Sequence, residues 1–178
     1  MVNASKAKGD RAELEAVRAI TELCPDLIVW NAQRMLGAGR KEDIGDLLVF
    51  PDAAVQVKAF KATALSAGLY SAASGATEQA QRARHPFALG LVLVPRARLA
   101  GAVRWAASVN EWPVEREHAI SSSSIAALDA VRAAGPVMEF TTQVQRKNAS
   151  PIIVASLQSW VLAYRMATGR PAHEENIV

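Results

Sequence analysis

The chain has 178 residues, about half of them apolar, with one cysteine and a formal net charge of +3. That length suffices for one buried core, with or without an extension, and the mild positive charge permits an anionic partner without requiring one. The lone Cys24 excludes an internal disulfide and a cysteine zinc cluster, and with no run of about 18 apolar residues and no hydrophobic leader the chain reads as soluble and unexported, with no membrane partner.

Residues 1–8 read as a basic, mobile arm. A helix is predicted from about Asp10 to Leu23. Arg11, Glu15, Arg18 and Glu22 recur on one side of it as alternating charges suited to water, while Glu13, Val17, Ile20 and Cys24 recur on another. Glu13 is thus an acid aligned with an apolar stripe, and a carboxylate there needs a partner, water or a cation. Asp10-Arg11-Ala12-Glu13 also reads as a capping box, the favoured reading from this helix alone.

Pro25-Asp26 ends the helix, and Leu27–Trp30 reads as a first strand. Asn31 to Ile44 is a long connection holding Gly37 and Gly39, which points to a functional loop. Two short strands follow, Asp46–Phe50 and Ala54–Phe60, joined by a turn at Pro51-Asp52-Ala53. On the second, Gln56 and Lys58 share one face, about 6.7 Å apart along the strand, and Val55 and Val57 share the other. An acid, an amide and an ammonium then converge at one end of a small sheet.

Residues 62–85, rich in alanine and containing Gly68 and Gly75, predict a loose helical region best formed at Thr77–Arg84, with Thr77 as its cap. Leu89–Val94 is a continuous apolar run, as in a central strand buried on both faces. Val103–Val109 predicts a strand with Trp105 in the core. Ser121–Ser124 cap a helix ending at Gly135-Pro136, and Val137–Thr142 reads as a short strand. Ser150-Pro151 opens a helix to about Thr168, with Ile153, Leu157, Trp160, Val161 and Tyr164 on one face for core packing or a dimer contact. Residues 170–178 read as frayed. His85, His118 and His173 are scattered, and none sits at metal-motif spacing.

Positive charge is clustered. Lys6, Lys8 and Arg11 open the chain, Arg34, Arg40 and Lys41 precede Asp46, and Arg82, Arg84, Arg96, Arg98 and Arg104 crowd the middle. Nucleic acid fits that pattern; scattered solvated charge is the alternative.

Taken together, the order is a helix with Glu13, a strand, a loop, a strand with Asp46, a strand with Gln56 and Lys58, a helix and a central strand. It resembles the PD-(D/E)xK nuclease superfamily, and within it the Holliday-junction resolvases of cellular and phage type. The residues that carry the resemblance are Lys8-Gly9 followed by Glu13, then Asp43-Ile44-Gly45-Asp46, then Gln56-Val57-Lys58, then Leu89–Val94 with Pro95-Arg96. It covers roughly residues 6–110 and does not reach the last third of the chain.

The resemblance implies an α/β, restriction-endonuclease-like fold with a central mixed sheet flanked by helices. Residues 1–110 would form the nuclease core with its basic arm, and 111–178 an α-rich extension that packs on the core or forms a dimer contact, all in one domain. It also implies a Mg²⁺- or Mn²⁺-dependent endodeoxyribonuclease in the cytoplasm of a bacterial or phage-infected cell. Asp46 would anchor the metal, with the Gln56 side-chain oxygen, the Val57 carbonyl and Glu13 completing the shell; Asp43 is a nearby acid able to share the role of Asp46. Lys58 would position or help deprotonate the attacking water and oppose phosphate charge. Lys6, Lys8, Arg11, Arg34, Arg40 and Lys41 would contact phosphates of branched DNA, and a two-fold homodimer would match two strands of a four-way junction. The family usually has an acid where this chain has Gln56, so the site should hold Mg²⁺ less tightly. A restriction-type or DNA-repair nuclease would share every site residue; a catalytically inactive DNA-binding or assembly module would keep only the fold. A metabolic α/β enzyme is disfavoured, because no phosphate-cradling glycine motif or nucleophile triad occurs.

Overall fold

In a computed structural model, which describes residues 4–35, 45–95, 102–135, 140–146 and 149–170, the apolar runs of the chain assemble into an eight-stranded mixed sheet with helices on both faces. The elements are α1 (Ala4–Leu23), β1 (Gln33–Arg34), β2 (Leu47–Leu48), β3 (Ala53–Ala59), α2 (Leu65–Ala83), β4 (Phe87–Pro95), β5 (Ala102–Val109), β6 (Ala119–Ser121), α3 (Ser124–Ala134), β7 (Thr141–Arg146), β8 (Ala149–Ser156) and α4 (Leu157–Thr168). Across the sheet the strands run β1-β2-β3-β4-β5-β8-β7-β6. β3 and β4 are parallel, joined through α2, and β6 and β7 are parallel, joined through α3; the other neighbours are antiparallel. The fold is α/β with a central mixed sheet flanked by helices.

Strand alternation sorts the core into two layers. Leu89, Leu91 and Leu93 of β4 join Val55, Val57, Ile153 and Ala155 beneath α1 and α4. Val92, with Trp105, Ala107, Ile152 and Val154, packs beneath α2 and α3 on the opposite face. Gln56 and Lys58, out of phase with Val55 and Val57, therefore lie on the α2 face. On the α1/α4 face Phe50, Phe87, Trp160 and Tyr164 form one aromatic cluster, in which Trp160 and Tyr164 stack with centroids 5.2 Å apart. The aromatic face of the last helix is core.

Several expected elements differ. α1 starts at Ala4, so residues 4–8 are helical rather than part of an arm, and Asp10 lies too deep in the helix to cap it. The capping box is therefore replaced by ion pairs from Asp10 and Glu13 to Arg34. Leu27–Trp30 forms turns and bends instead of a strand; the Val29 N–H donates to the carbonyl of Val49, just past β2, at 2.9 Å, and Trp30 is fully exposed. The first strand is Gln33–Arg34. α2 is one continuous helix, and Thr77 sits inside it. Its glycines mark close approaches rather than breaks: a Cβ at Gly68 would lie 2.5 Å from the Phe60 ring, and one at Gly75 would lie 3.0 Å from Gln56 Oε1.

The second half departs most. Ser150-Pro151 lies in β8, because the Ile152-Ile153-Val154 run pairs with β5 and β7; α4 begins only after Ser156, whose Oγ accepts from the Ser159 N–H at 3.1 Å. The expected strand Val137–Thr142 is shifted to Thr141–Arg146, with 136–139 outside the described residues. The extension carries two helices as well as three strands, and those strands continue the core sheet. Ser123 caps α3, its Oγ accepting from the Ala126 N–H at 3.2 Å. Residues 171–178 lie outside the described ones.

Candidate functional site

Asp46 stands where β2 begins, after Gly45, whose φ of +142° is one that L side chains rarely adopt. Its backbone is braced on both sides: its N–H donates to the Val55 carbonyl at 2.9 Å, and its carbonyl accepts from the Met35 N–H at 2.7 Å. The residue is 8% exposed, and its side chain turns toward β3. Its Oδ2 accepts from the Val57 N–H at 2.8 Å and from the side-chain nitrogen of Gln56. The Gln56 oxygen in turn accepts from Gln79 Nε2 at 2.8 Å. A buried polar chain thus runs Asp46, Gln56, Gln79, from the sheet edge into the face of α2. A strand residue turns its N–H and C=O to the same side, so the Val57 carbonyl also points toward β2.

From α1 a second acid approaches. Arg34 of β1 binds Asp10 through Nη2 at 2.5 Å and Glu13 through Nε at 2.9 Å. Burial raises the Glu13 carboxyl above its ordinary value and the Asp46 carboxylate adds to the rise, while Arg34 opposes both. For Arg34 burial works against the charge, yet the hydrogen bonds and charges of Asp10 and Glu13 outweigh it and raise its pKa. Glu13 and Asp46 therefore feel each other across the sheet edge, with a guanidinium as the local counter-charge.

Of the residues expected in the site, Glu13, Asp46, Gln56 and Val57 are brought together. Lys58 is half-buried, in register with Val92 and on the α2 face with Gln56. Two roles are corrected. Gln56 presents nitrogen, not oxygen, to Asp46, because its oxygen is taken by Gln79. Arg34 turns inward to the acids of α1 and is not a free phosphate contact. Lys8 donates from Nζ to the Ala59 carbonyl at 3.0 Å, which sets the basic start of α1 against the end of β3, and Arg11 beside it is exposed. Asp43, Arg40, Lys41 and the side chain of Lys6 lie outside the described residues. Arg104 of the middle cluster is half-buried and pairs with Glu15 at 3.3 Å.

Gln79 and Asp10 were not anticipated. A signal for Gln79 exists: it falls on the stripe of Leu69, Ala72, Ala73, Ala76 and Ala80 that buries α2, so it is a polar group aligned with an apolar face, as Glu13 is on α1. Asp10 gives no such signal, since its partner comes from a strand that the residue pattern misplaces.

The donor set suits a hard, oxygen-seeking cation in part. Asp46, Glu13 and the Val57 carbonyl fit one. Gln56, with its nitrogen inward, does not. Among the described residues no group of three or more His, Cys, Asp and Glu is arranged to hold a metal, so such a site would draw on a backbone oxygen and water. Among the described residues, no helix is long and apolar enough to cross a membrane. The chain matches no protein-family model, and no curated protein and no solved structure matches it.

Proposed function

We propose that the chain is a Mg²⁺- or Mn²⁺-dependent, structure-selective DNA endonuclease of the Holliday-junction resolvase type. One observation carries this reading: Asp46 is braced against the strand bearing Gln56, Val57 and Lys58 by hydrogen bonds from Gln56 and Val57, and the Glu13 carboxyl on α1 is raised first by burial and then by the Asp46 charge. A helix, an antiparallel set of edge strands, a crossover helix and a parallel strand surround it, which is the order that the resemblance to PD-(D/E)xK nucleases implies.

Asp46, Glu13 and the Val57 carbonyl would hold the cation. Once bound, it would neutralise charge on the scissile phosphate and assist water in replacing the leaving oxygen. Lys58 opposes phosphate charge and orients the attacking water. Lys8, beside the end of β3, and the exposed Arg11 of α1 give phosphate contacts of little sequence preference. A two-fold homodimer would set two such sites at a fixed separation for the paired strands of a four-way junction. The test is a cleavage gel with Mg²⁺ comparing a four-way junction, a flap and linear duplex. Asp46→Asn should abolish cutting and Lys58→Ala should slow it by about 10²-fold or more; undiminished cleavage by either variant refutes the assignment. Preferential cutting of linear duplex would favour a restriction-type or repair nuclease.

A second reading rests on a specific observation. With the Gln56 nitrogen on Asp46 and Arg34 on Glu13, the acids already have partners without a metal, which suits a catalytically inactive DNA-binding or assembly module. Salt-dependent junction binding without cleavage in either Mg²⁺ or Mn²⁺ would favour it.

A further inference from the structure

Building on the reading of Asp46 as a cation anchor, we propose that Gln79 is a positioning residue. It holds the Gln56 amide with its nitrogen toward Asp46, so that Gln56 acts as a hydrogen-bond donor, and it thereby sets how tightly the site takes a divalent cation. Both amides are buried, Gln56 at 6% and Gln79 at 3% exposure, so neither exchanges its partner for bulk water.

The chemistry of the three groups orders them. An ionised carboxylate only accepts, so the part of Gln56 that faces Asp46 is its NH₂. The Gln56 oxygen then faces α2, where Gln79 Nε2 donates to it at 2.8 Å. Gly75 makes room for this arrangement, because any Cβ there would come within 3.0 Å of that oxygen. With Gln79 held as it is, turning the Gln56 amide over would set its oxygen against a carboxylate and its nitrogen against the Gln79 nitrogen, losing two hydrogen bonds between buried groups; turning Gln79 as well would still lose the bond to Asp46.

A cation on Asp46 asks for the opposite orientation, with oxygen inward. In the observed state the Gln56 nitrogen donates to Asp46 Oδ2, an oxygen that a cation held by Asp46 would draw on. Gln79 stabilises that state and opposes the other. Methionine at 79 fills similar space, cannot donate and accepts only weakly, so it removes one hydrogen bond from the nitrogen-in state and one repulsion from the oxygen-in state.

The experiment is calorimetric titration with MnCl₂ alone on wild type, Gln79→Met, Gln56→Leu and the double variant, with Asp46→Asn as the site control. Gln79→Met should bind Mn²⁺ about 10-fold more tightly than wild type, the equivalent of one net hydrogen bond. In the Gln56→Leu background the same change should do nothing, which a merely structural role for Gln79 does not predict. An unchanged or weaker Kd for a folded Gln79→Met, or an equal effect without Gln56, overturns the proposal. Orientation is also read on metal-free wild type by NMR of the Gln56 side-chain NH₂, which should be shielded from exchange and should shift on Asp46→Asn. If Asp46→Asn leaves Mn²⁺ binding intact, the cation reading fails; if it leaves the Gln56 NH₂ signals unmoved, the orientation proposed here fails.

Discussion

Gly90 of β4 is in register with Gln56 and lies on the same face of the sheet, so it sets how closely α2 approaches the candidate site. A Cβ at Gly90 would lie 2.5 Å from the Ala72 carbonyl carbon, 2.5 Å from the Ala73 nitrogen and 2.8 Å from the Ala72 oxygen. Heavy atoms need about 3.5–4.0 Å, so Gly90→Ala requires α2 to retreat by roughly 1 Å. All three neighbours are backbone atoms of a packed helix and cannot swing aside. The cost should reach about 3 kcal/mol, the upper part of the usual overpacking range. For a chain of this size that is a fall in Tm of roughly 6–12 °C. The retreat should also stretch the 2.8 Å bond from Gln79 to Gln56, coupling stability to the site.

The comparison that isolates this reasoning is Gly68→Ala. A Cβ there meets an equally close neighbour at 2.5 Å, but it is the ring of Phe60, a side chain that can rotate. Alanine in a helix also recovers about 1 kcal/mol over glycine, so Gly68→Ala should be near neutral. Urea unfolding of wild type and both variants, compared at a common m-value, decides it. Loss of less than about 0.5 kcal/mol in Gly90→Ala, the scale of an ordinary surface change, would refute the backbone contact as the limiting one; so would equal losses at both glycines.

Three further outcomes are expected. Arg34→Ala leaves Asp10 and Glu13 without their shared partner and, because these side chains are partly exposed, should cost about 1–2 kcal/mol. If the acids form a cation site, millimolar Mg²⁺ should restore part of the lost Tm of this variant, and no recovery counts against that site. Tyr164→Phe removes the hydroxyl that donates to Asp52, costing about 2 kcal/mol at neutral pH in denaturant unfolding. Burial, then the Asp52 hydrogen bond, raises the Tyr164 pKa in the folded protein. Its contribution is therefore intact below the unfolded value of about 10 and is lost as pH climbs toward the folded one; Tyr164→Phe should flatten the alkaline fall, and an unchanged slope speaks against it. Burial pushes the Cys24 thiol up to about 12, and its Sγ donates to the Ile20 carbonyl at 3.2 Å. A thiol reagent at pH 8 should leave the folded chain unlabelled and react only on unfolding, and rapid native labelling would contradict that burial.

Residue pattern was legible where one physical requirement dominated. Leu89–Val94 had to be a central strand because only two covered faces accept a continuous apolar run, and β4 is paired on both sides. The alternation of Val55, Gln56, Val57 and Lys58 placed the polar pair on one face, since period two leaves no other choice. Glu13 was marked by its alignment with Ile20 and Cys24, and it is paired. Long-range contacts defeated the pattern elsewhere. Gly68 and Gly75 resemble helix breakers until Phe60 and Gln56 are seen pressing against them. Ser150-Pro151 resembles a helix start, but strand pairing with β5 and β7 overrides it. The orientation of the Gln56 amide depends on Gln79, 23 residues away, and no local spacing encodes it.

β8, which follows β5, β6 and β7 in the chain, lies between β5 and β7 inside the sheet. A chain cut after residue 110 carries Asp46 and the strand with Gln56 but leaves one whole side of β5 bare. The aromatic floor supplied by Trp160 and Tyr164 is missing as well, so Phe50 and Phe87 face water. Such a truncated chain presents an unpaired apolar strand, the template on which other chains add and aggregate. Residues 149–168, which carry β8 and α4, thus close the sheet and core over the site-bearing half, and a fragment ending near 110 should need a chaperone or a solubilising fusion to be handled at all.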